Sequence, residues 1–282
     1  MLLAAGPAPR ALAQAPADTP VPSGVTPGRR LPFLGHLASD RGIELPLPFG
    51  AGLTGYYIER AIAVSELRVG RGGAAPSPVP DFVQLATRSR VTNLNVKLDV
   101  WLLPFVNVYA IAGYVWNESE TTFDLTLPAL APGGASRGRR LTLPTSLEGT
   151  VGGLGTTLAG GYGPFFLALD VNAARADLGF DVRFKAVVAS LRVGWNGRLG
   201  GRAARAWANA THWDTFATAK GSVEDPDDGS PLFFEVDQGP AHPWTYGLGM
   251  QYSARRWLDL AVDAGVDFHG GWYVAIVPVV RF

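Results

Sequence analysis

The chain has no cysteine, which excludes disulfides, thiolate catalysis and cysteine-ligated metal. Charge is also scarce: 17% of the 282 residues are Asp, Glu, Lys or Arg, against roughly 25% in soluble domains. The 24 basic and 24 acidic residues cancel, and there is no basic stripe of the kind that grips nucleic acid. Four scattered histidines lack metal-ligand spacing, and nothing in the sequence calls for a cofactor. No run approaches the roughly 20 apolar residues that a membrane-spanning helix needs. Mean hydropathy is nevertheless positive. A chain that is oily on average but never continuously oily is one in which apolar and polar residues alternate.

What is abundant is glycine (35), proline (22) and aromatic residues, eight of them Trp. The start, "MLLAAGPAPRALAQAPADTP", has an apolar opening and an Ala11-Leu12-Ala13 pattern suited to signal-peptide cleavage, without a basic leader. Residues 1–13 are therefore expected to be a signal-peptide remnant. Residues 14–44 are rich in Pro, Ala and Arg and lack a sustained period, as a periplasmic tether or a plug for the mouth of a barrel would be.

From residue 45 the chain becomes a series of alternating runs, at 47–59, 91–102, 105–117, 147–161, 165–176, 181–195, 204–216, 244–253, 257–268 and 272–282. These make about ten strands. Corners at 102–104, 161–164, 195–203 and 254–256 are short, whereas the connections at 60–90, 118–146 and 219–243 are long. An even strand count with short turns on one side and long loops on the other is the pattern of a closed antiparallel up-and-down transmembrane β-barrel. That all-β fold is the expectation for 45–282.

The alternation also assigns faces. In 257–268, Leu258, Leu260, Val262, Ala264, Val266 and Phe268 oppose Asp259, Asp263 and Asp267. In 91–102, Leu94, Val96, Leu98 and Val100 oppose Asn93, Asn95, Lys97 and Asp99. In 244–253 the apolar face has aromatics near its ends and aliphatics between, as a lipid-facing strand does. A soluble sandwich also alternates. Here, however, the polar faces are Gly, Ala, Ser, Thr, Asn and Asp, which suit a cramped lumen better than open water.

The ending "YVAIVPVVRF", through Val274, Ile276, Val280 and the terminal Phe282, resembles the C-terminal signature of Gram-negative outer-membrane β-barrel proteins. The resemblance implies an outer-membrane location and recognition of Phe282 by the barrel assembly machinery. The family often has Tyr where Val280 stands. Pro278 is unusual in a strand because it lacks a donor, so a bulge or local unpairing is expected there.

The expected lumen-lining residues are Asn95, Lys97, Asp99, Asn107, Asp170, Asn172, Arg192, Gln251, Asp259, Asp263 and Asp267, joined by Arg281. They fit two functions. One is a narrow polar path whose charged walls select small solutes; the other is a bonded filling that makes a structural or surface-interaction barrel. Arg183 and Lys185 break the face assignment of their run, which calls for a bulge around Val187–Val188 or a place outside the bilayer. "THWDTF" puts His212 and Asp214 on one face near the outer end of a strand. That pair resembles the rim residues of outer-membrane proteases of the omptin family and is the weak candidate for catalysis, without a matching acidic pair opposite. His242 and His269 read as ordinary loop residues. The acidic Glu224, Asp225, Asp227 and Asp228 read as a solvated turn, because calcium-loop spacing is absent.

Overall fold

Alternation with small residues on one face lets a sheet curl until its first and last strands meet. The computed structural model describes residues 31–36, 45, 47–71, 75–78, 82–127, 137–178, 183–224, 229 and 231–282. The strands are β1 (Phe49–Arg71), β2 (Ser77–Pro78), β3 (Phe82–Leu103), β4 (Val106–Leu127), β5 (Arg137–Tyr162), β6 (Phe165–Asp177), β7 (Arg183–Leu199), β8 (Arg202–Glu224), β9 (Pro231–Pro240), β10 (Trp244–Arg255), β11 (Leu258–Val266) and β12 (Trp272–Arg281). All pairings are antiparallel. The wall β1-β3-β4-β5-β6-β7-β8-β10-β11-β12 returns to β1, which gives a closed ten-stranded barrel. The signal remnant and all of 14–44 except residues 31–36 lie outside the described residues.

Closure is tight at the terminus. Phe49 and Phe282 exchange two backbone hydrogen bonds, at 3.1 and 3.0 Å, and their rings stack at 6.0 Å. The β1–β12 ladder skips Val277 and Pro278 but resumes in the same register, Gly52 opposite Val279 and Gly55 opposite Ile276. Pro278 thus causes the local unpairing expected of a residue with no N–H, without a bulge. Four tight turns share the end of the barrel that holds both strand termini. At one of them Gly200 and Gly201 take φ of 58° and 76° between the paired Leu199 and Arg202. Two successive positive φ values are what a two-residue type I′ hairpin demands.

The opposite end departs from the sequence expectation. The long connections 60–90, 118–146 and 219–243 are largely strand: β1, β3, β4, β5 and β8 run 22 to 26 residues. Some 9–11 tilted residues cross a bilayer, so these strands stand well clear of it. Out there the outer face meets water in place of lipid while inward positions such as Thr87, Ser89 and Thr121 are polar though buried, and the apolar alternation that reveals a strand fades. Pairing is carried instead by cross-strand polar neighbours such as Arg90 opposite Glu118 and Thr122 opposite Thr142.

β9 was not expected at all. The strands β10 to β12 stop at membrane length, and above them β9 alone bridges β8 (Ala217 opposite Gln238) to β1 (Ile62 opposite Pro240). A register shift between Val64 and Glu66 swaps the faces of β1 there. Leu67 and Val236 become buried. Arg68 joins an ion cluster with Glu66, Glu235 and Asp237, and Lys220 also reaches Glu235.

The barrel exterior is an apolar belt. Leu154, Leu248, Leu98 and Ile276 are 70%, 71%, 58% and 57% exposed at mid-height. Phe105, Tyr162, Phe165, Trp195 and Trp257 ring the turn end, and Trp116, Trp244, Tyr246, Phe268 and Trp272 ring the loop end. An exposed aliphatic band between two aromatic girdles is unstable in water and matched to a bilayer. β7 keeps a constant register from Arg183 to Leu199, so there is no bulge at Val187–Val188. Lys185 faces outward and exposed toward the loop end of the wall, on the outer face and away from the lumen.

Candidate functional site: the lumen

A cavity of about 2790 Å³ occupies the barrel interior. Its lining reaches from Tyr162, Arg198 and Arg256 at the turn end to Ile62, Gln238 and Pro240 at the loop end. Asn95, Lys97, Asp99, Asn107, Asp170, Asn172, Arg192, Gln251, Asp259, Asp263 and Arg281 all line it. They sit mainly in the half nearer the turns and form one polar layer.

Within that layer each carboxylate is held. Asp99 accepts from Asn107 Nδ2 at 2.8 Å and from Arg281 Nη1 at 3.2 Å. Asp259 accepts from Arg281 Nε at 2.9 Å and Ser253 Oγ at 2.7 Å. Arg281 therefore clamps two acids across the β11–β12–β1–β3 seam. Asp170 takes the Tyr109 hydroxyl at 2.8 Å and the Thr157 hydroxyl at 2.5 Å. Asp263 takes Trp207 Nε1 at 2.7 Å, Asn209 Nδ2 at 2.9 Å and Tyr273 Oη at 2.6 Å. Buried ions persist when bonded this fully, since an unpaired one is costly. Among the described residues the cations Lys97 and Arg192 form no ion pair and lie over rings instead: Lys97 Nζ is 3.9 Å from the Tyr109 centroid and Arg192 Cζ 5.7 Å from that of Trp207.

Two expected site features are corrected. Asp267 does not line the cavity: its Oδ1 accepts the amides of His269 at 2.7 Å and Gly271 at 2.8 Å, capping the β11–β12 turn. An Asp at the end of a strand satisfies the turn it enters before it can serve the lumen. His212 and Asp214 share a face, but it is the outer one, because Thr211, Trp213 and Thr215 take the lumen parity of β8. His212 packs edge-on against Trp244 at 4.8 Å in the aromatic girdle. His242 and His269 meet in a stack, with ring centroids 3.7 Å apart; neither the spacing nor the strand pattern signalled this. Of the acidic turn, Asp225, Asp227 and Asp228 lie outside the described residues.

Sequence reasoning missed the lumen aromatics. Tyr56, Trp213 and Tyr273 cluster with centroids 5.6 to 6.3 Å apart. Rings lie over the small residues of β10 and β11: a Cβ on Gly265 would stand 2.6 Å from the Tyr273 ring, and one on Gly249 2.3 Å from the ring of Trp207, a further lumen aromatic. For Tyr56 and Trp213 the signal was available as phase, since they fall two residues from the polar lumen positions Thr54 and Thr211; Tyr273 has only Gly271 and Ala275 at that spacing and gave none. Above this layer the opposite wall turns apolar, with Val115, Leu147, Ala176 and Leu178 packed together beside Val91, Val151 and Phe184. At the turn end Leu31 to His36 also line the cavity, and the Phe33 amide donates to Leu102 O at 2.8 Å.

Closed strand circuit, lipid belt and polar interior together define a membrane-spanning β-barrel of the outer-membrane type. No protein-family model matches the chain, and no curated protein matches it. Similar solved structures include the β domain of the Bordetella autotransporter BrkA, at 11% identity over 83% of this chain and 100% of that one, TM-score 0.39. The outer-membrane protein OprG from Pseudomonas aeruginosa matches at 11% over 84% and 98%, TM-score 0.41. The Ralstonia pickettii toluene transporter TbuX matches at 11% over 84% and 90%, TM-score 0.35. At these values the matches carry no functional weight, and function has to come from the lumen itself.

Proposed function

We propose that the protein is a bacterial outer-membrane channel that passes small solutes through the barrel lumen. The observation that carries this is the cavity lined by residues from both ends of the barrel. At about 2790 Å³ it exceeds the roughly 300–1,000 Å³ of ordinary ligand pockets. A structural barrel would have its interior filled by side chains; here the carboxylates are closed off against the wall by Arg281 and neutral donors, and space remains beside them. Residues 31–36, at the turn-end mouth, act as a partial plug, and Phe282 serves as the assembly signal through its place beside Phe49.

The test is conductance of the refolded protein in a planar lipid bilayer, with residues 14–44 present and then deleted. Discrete steps in both forms support an open pore. Larger steps, or steps only after deletion, make the N-terminal segment the plug. Silence from protein that is demonstrably folded and inserted, in both forms, refutes the channel.

A further inference from the structure

Two buried donors at the loop-end half of the lumen have no partner among the described residues: Tyr56 Oη and Arg60 Nη1. Both side chains point into the cavity from β1. Arg60 is otherwise fixed in place, its Nη2 donating to Thr215 Oγ1 at 3.0 Å and its Cζ lying 5.5 Å from the Trp213 ring centroid. Asp267 acts on it through space, yet that carboxylate already accepts two turn amides. Arg60 is thus a positioned, buried guanidinium without a carboxylate partner among the described residues. The same cavity is lined from β3 round to β7 by an apolar wall of Val91, Val115, Leu147, Val151, Leu178 and Phe184.

We propose that this half of the lumen is a binding chamber for an apolar molecule carrying one carboxylate, whose anionic end is held by Arg60 and Tyr56. A guanidinium donates and cannot accept, and a phenol hydroxyl beside it can donate to the same group, so the pair favours an anion over a neutral or cationic end group. The apolar wall removes the rest of the molecule from water. In the polar layer below, where the acids are already bonded, Arg192 Nε and Trp101 Nε1 are the buried donors without a partner among the described residues, and Lys97 lies over the Tyr109 ring; none of the three adjoins the apolar wall. Arg192 belongs to the turn-end layer and lies away from the apolar wall, so it serves as the control. The assignment deepens the channel reading by naming its solute class, and binding is measured apart from conductance.

The experiment titrates the full chain, reconstituted in phosphatidylcholine nanodiscs, with octanoate, 1-octanol and octylammonium by calorimetry against empty nanodiscs. Octanoate should saturate at one site and bind about tenfold tighter than 1-octanol, with octylammonium no tighter than the alcohol. Arg60→Gln should bring octanoate to the level of 1-octanol and leave 1-octanol itself unchanged. Tyr56→Phe, which keeps the ring stack, should weaken octanoate about threefold. Arg192→Gln should leave octanoate binding as it is. Equal binding of octanoate and 1-octanol by the unaltered protein overturns the proposal without recourse to any variant. So does a carboxylate preference that survives Arg60→Gln or vanishes in Arg192→Gln. Conductance with no carboxylate preference refutes the chamber and leaves the channel; binding without conductance does the reverse.

Discussion

Replacing Asp263 by alanine removes the acceptor for three side chains at once: Trp207 Nε1, Asn209 Nδ2 and Tyr273 Oη. A hydrogen bond to a charged group contributes about 1.5–3 kcal/mol, and a stranded buried donor costs about 1–3 kcal/mol. Two effects reduce the sum. Tyr273 Oη also lies 3.0 Å from Asn209 Oδ1 and keeps that partner. Asp263 is only half-buried beside the cavity, so water reaches part of the gap. The expected loss for Asp263→Ala is therefore about 3 kcal/mol, at the low end for three bonds. Asp263→Asn, which keeps one acceptor but turns an amide N–H₂ toward existing donors, should lose about 1–2 kcal/mol. The assay is reversible urea unfolding from lipid vesicles, followed by tryptophan emission and by electrophoretic mobility of the folded form. A loss below about 1 kcal/mol for Asp263→Ala would show that water, and not the carboxylate, satisfies these donors, and would refute the account of the polar layer.

Other substitutions test separate parts of the structure. Leu248→Arg places a charge on the outer face at mid-belt, where the leucine is 71% exposed; it should cost about 2–4 kcal/mol in a bilayer and nothing comparable if that face met water. Arg281→Gln leaves Asp99 and Asp259 without their shared cation, so single-channel reversal potentials in a salt gradient should move toward cation selectivity. Unchanged reversal potentials would mean that ions do not pass this seam. Gly265→Val drives a side chain into the space of Tyr273 and the Tyr246 carbonyl; overpacking of this kind should cost about 1–3 kcal/mol in the same unfolding assay.

The barrel was legible in the sequence because a lipid-facing wall imposes one rule along its whole length. Leu94-Val96-Leu98 against Asn95-Lys97-Asp99, repeated strand after strand, states which side meets lipid before any contact is known. The rule lapses once the strands leave the bilayer. Thr87, Ser89 and Glu118 to Thr122 belong to strands, but where neither face of a strand is apolar its residues look the same as those of a loop. The extension of β1, β3, β4, β5 and β8, and β9 as the single strand bridging β8 and β1, were unreadable for that reason.

The lumen divides in the same way. Period-2 phase carried Asp99, Asp170, Asp259 and Asp263 inward, since phase is a local property of a strand. It could not say that Arg281 would bridge Asp99 and Asp259, because those residues are 182 and 22 positions from it and meet only when β12 closes on β1. Nor could it say that Asp267 would be taken by its own turn, or that His212 and Asp214 would face lipid, since a shared face does not identify which face. The sequence by itself determined an alternating chain that must curl around a polar interior and end on Phe282. Tertiary structure alone decided which donors each acid received, and which two, Tyr56 Oη and Arg60 Nη1, were left facing an apolar wall. Those outcomes depend on the stagger between strands far apart in the chain, which no local pattern encodes.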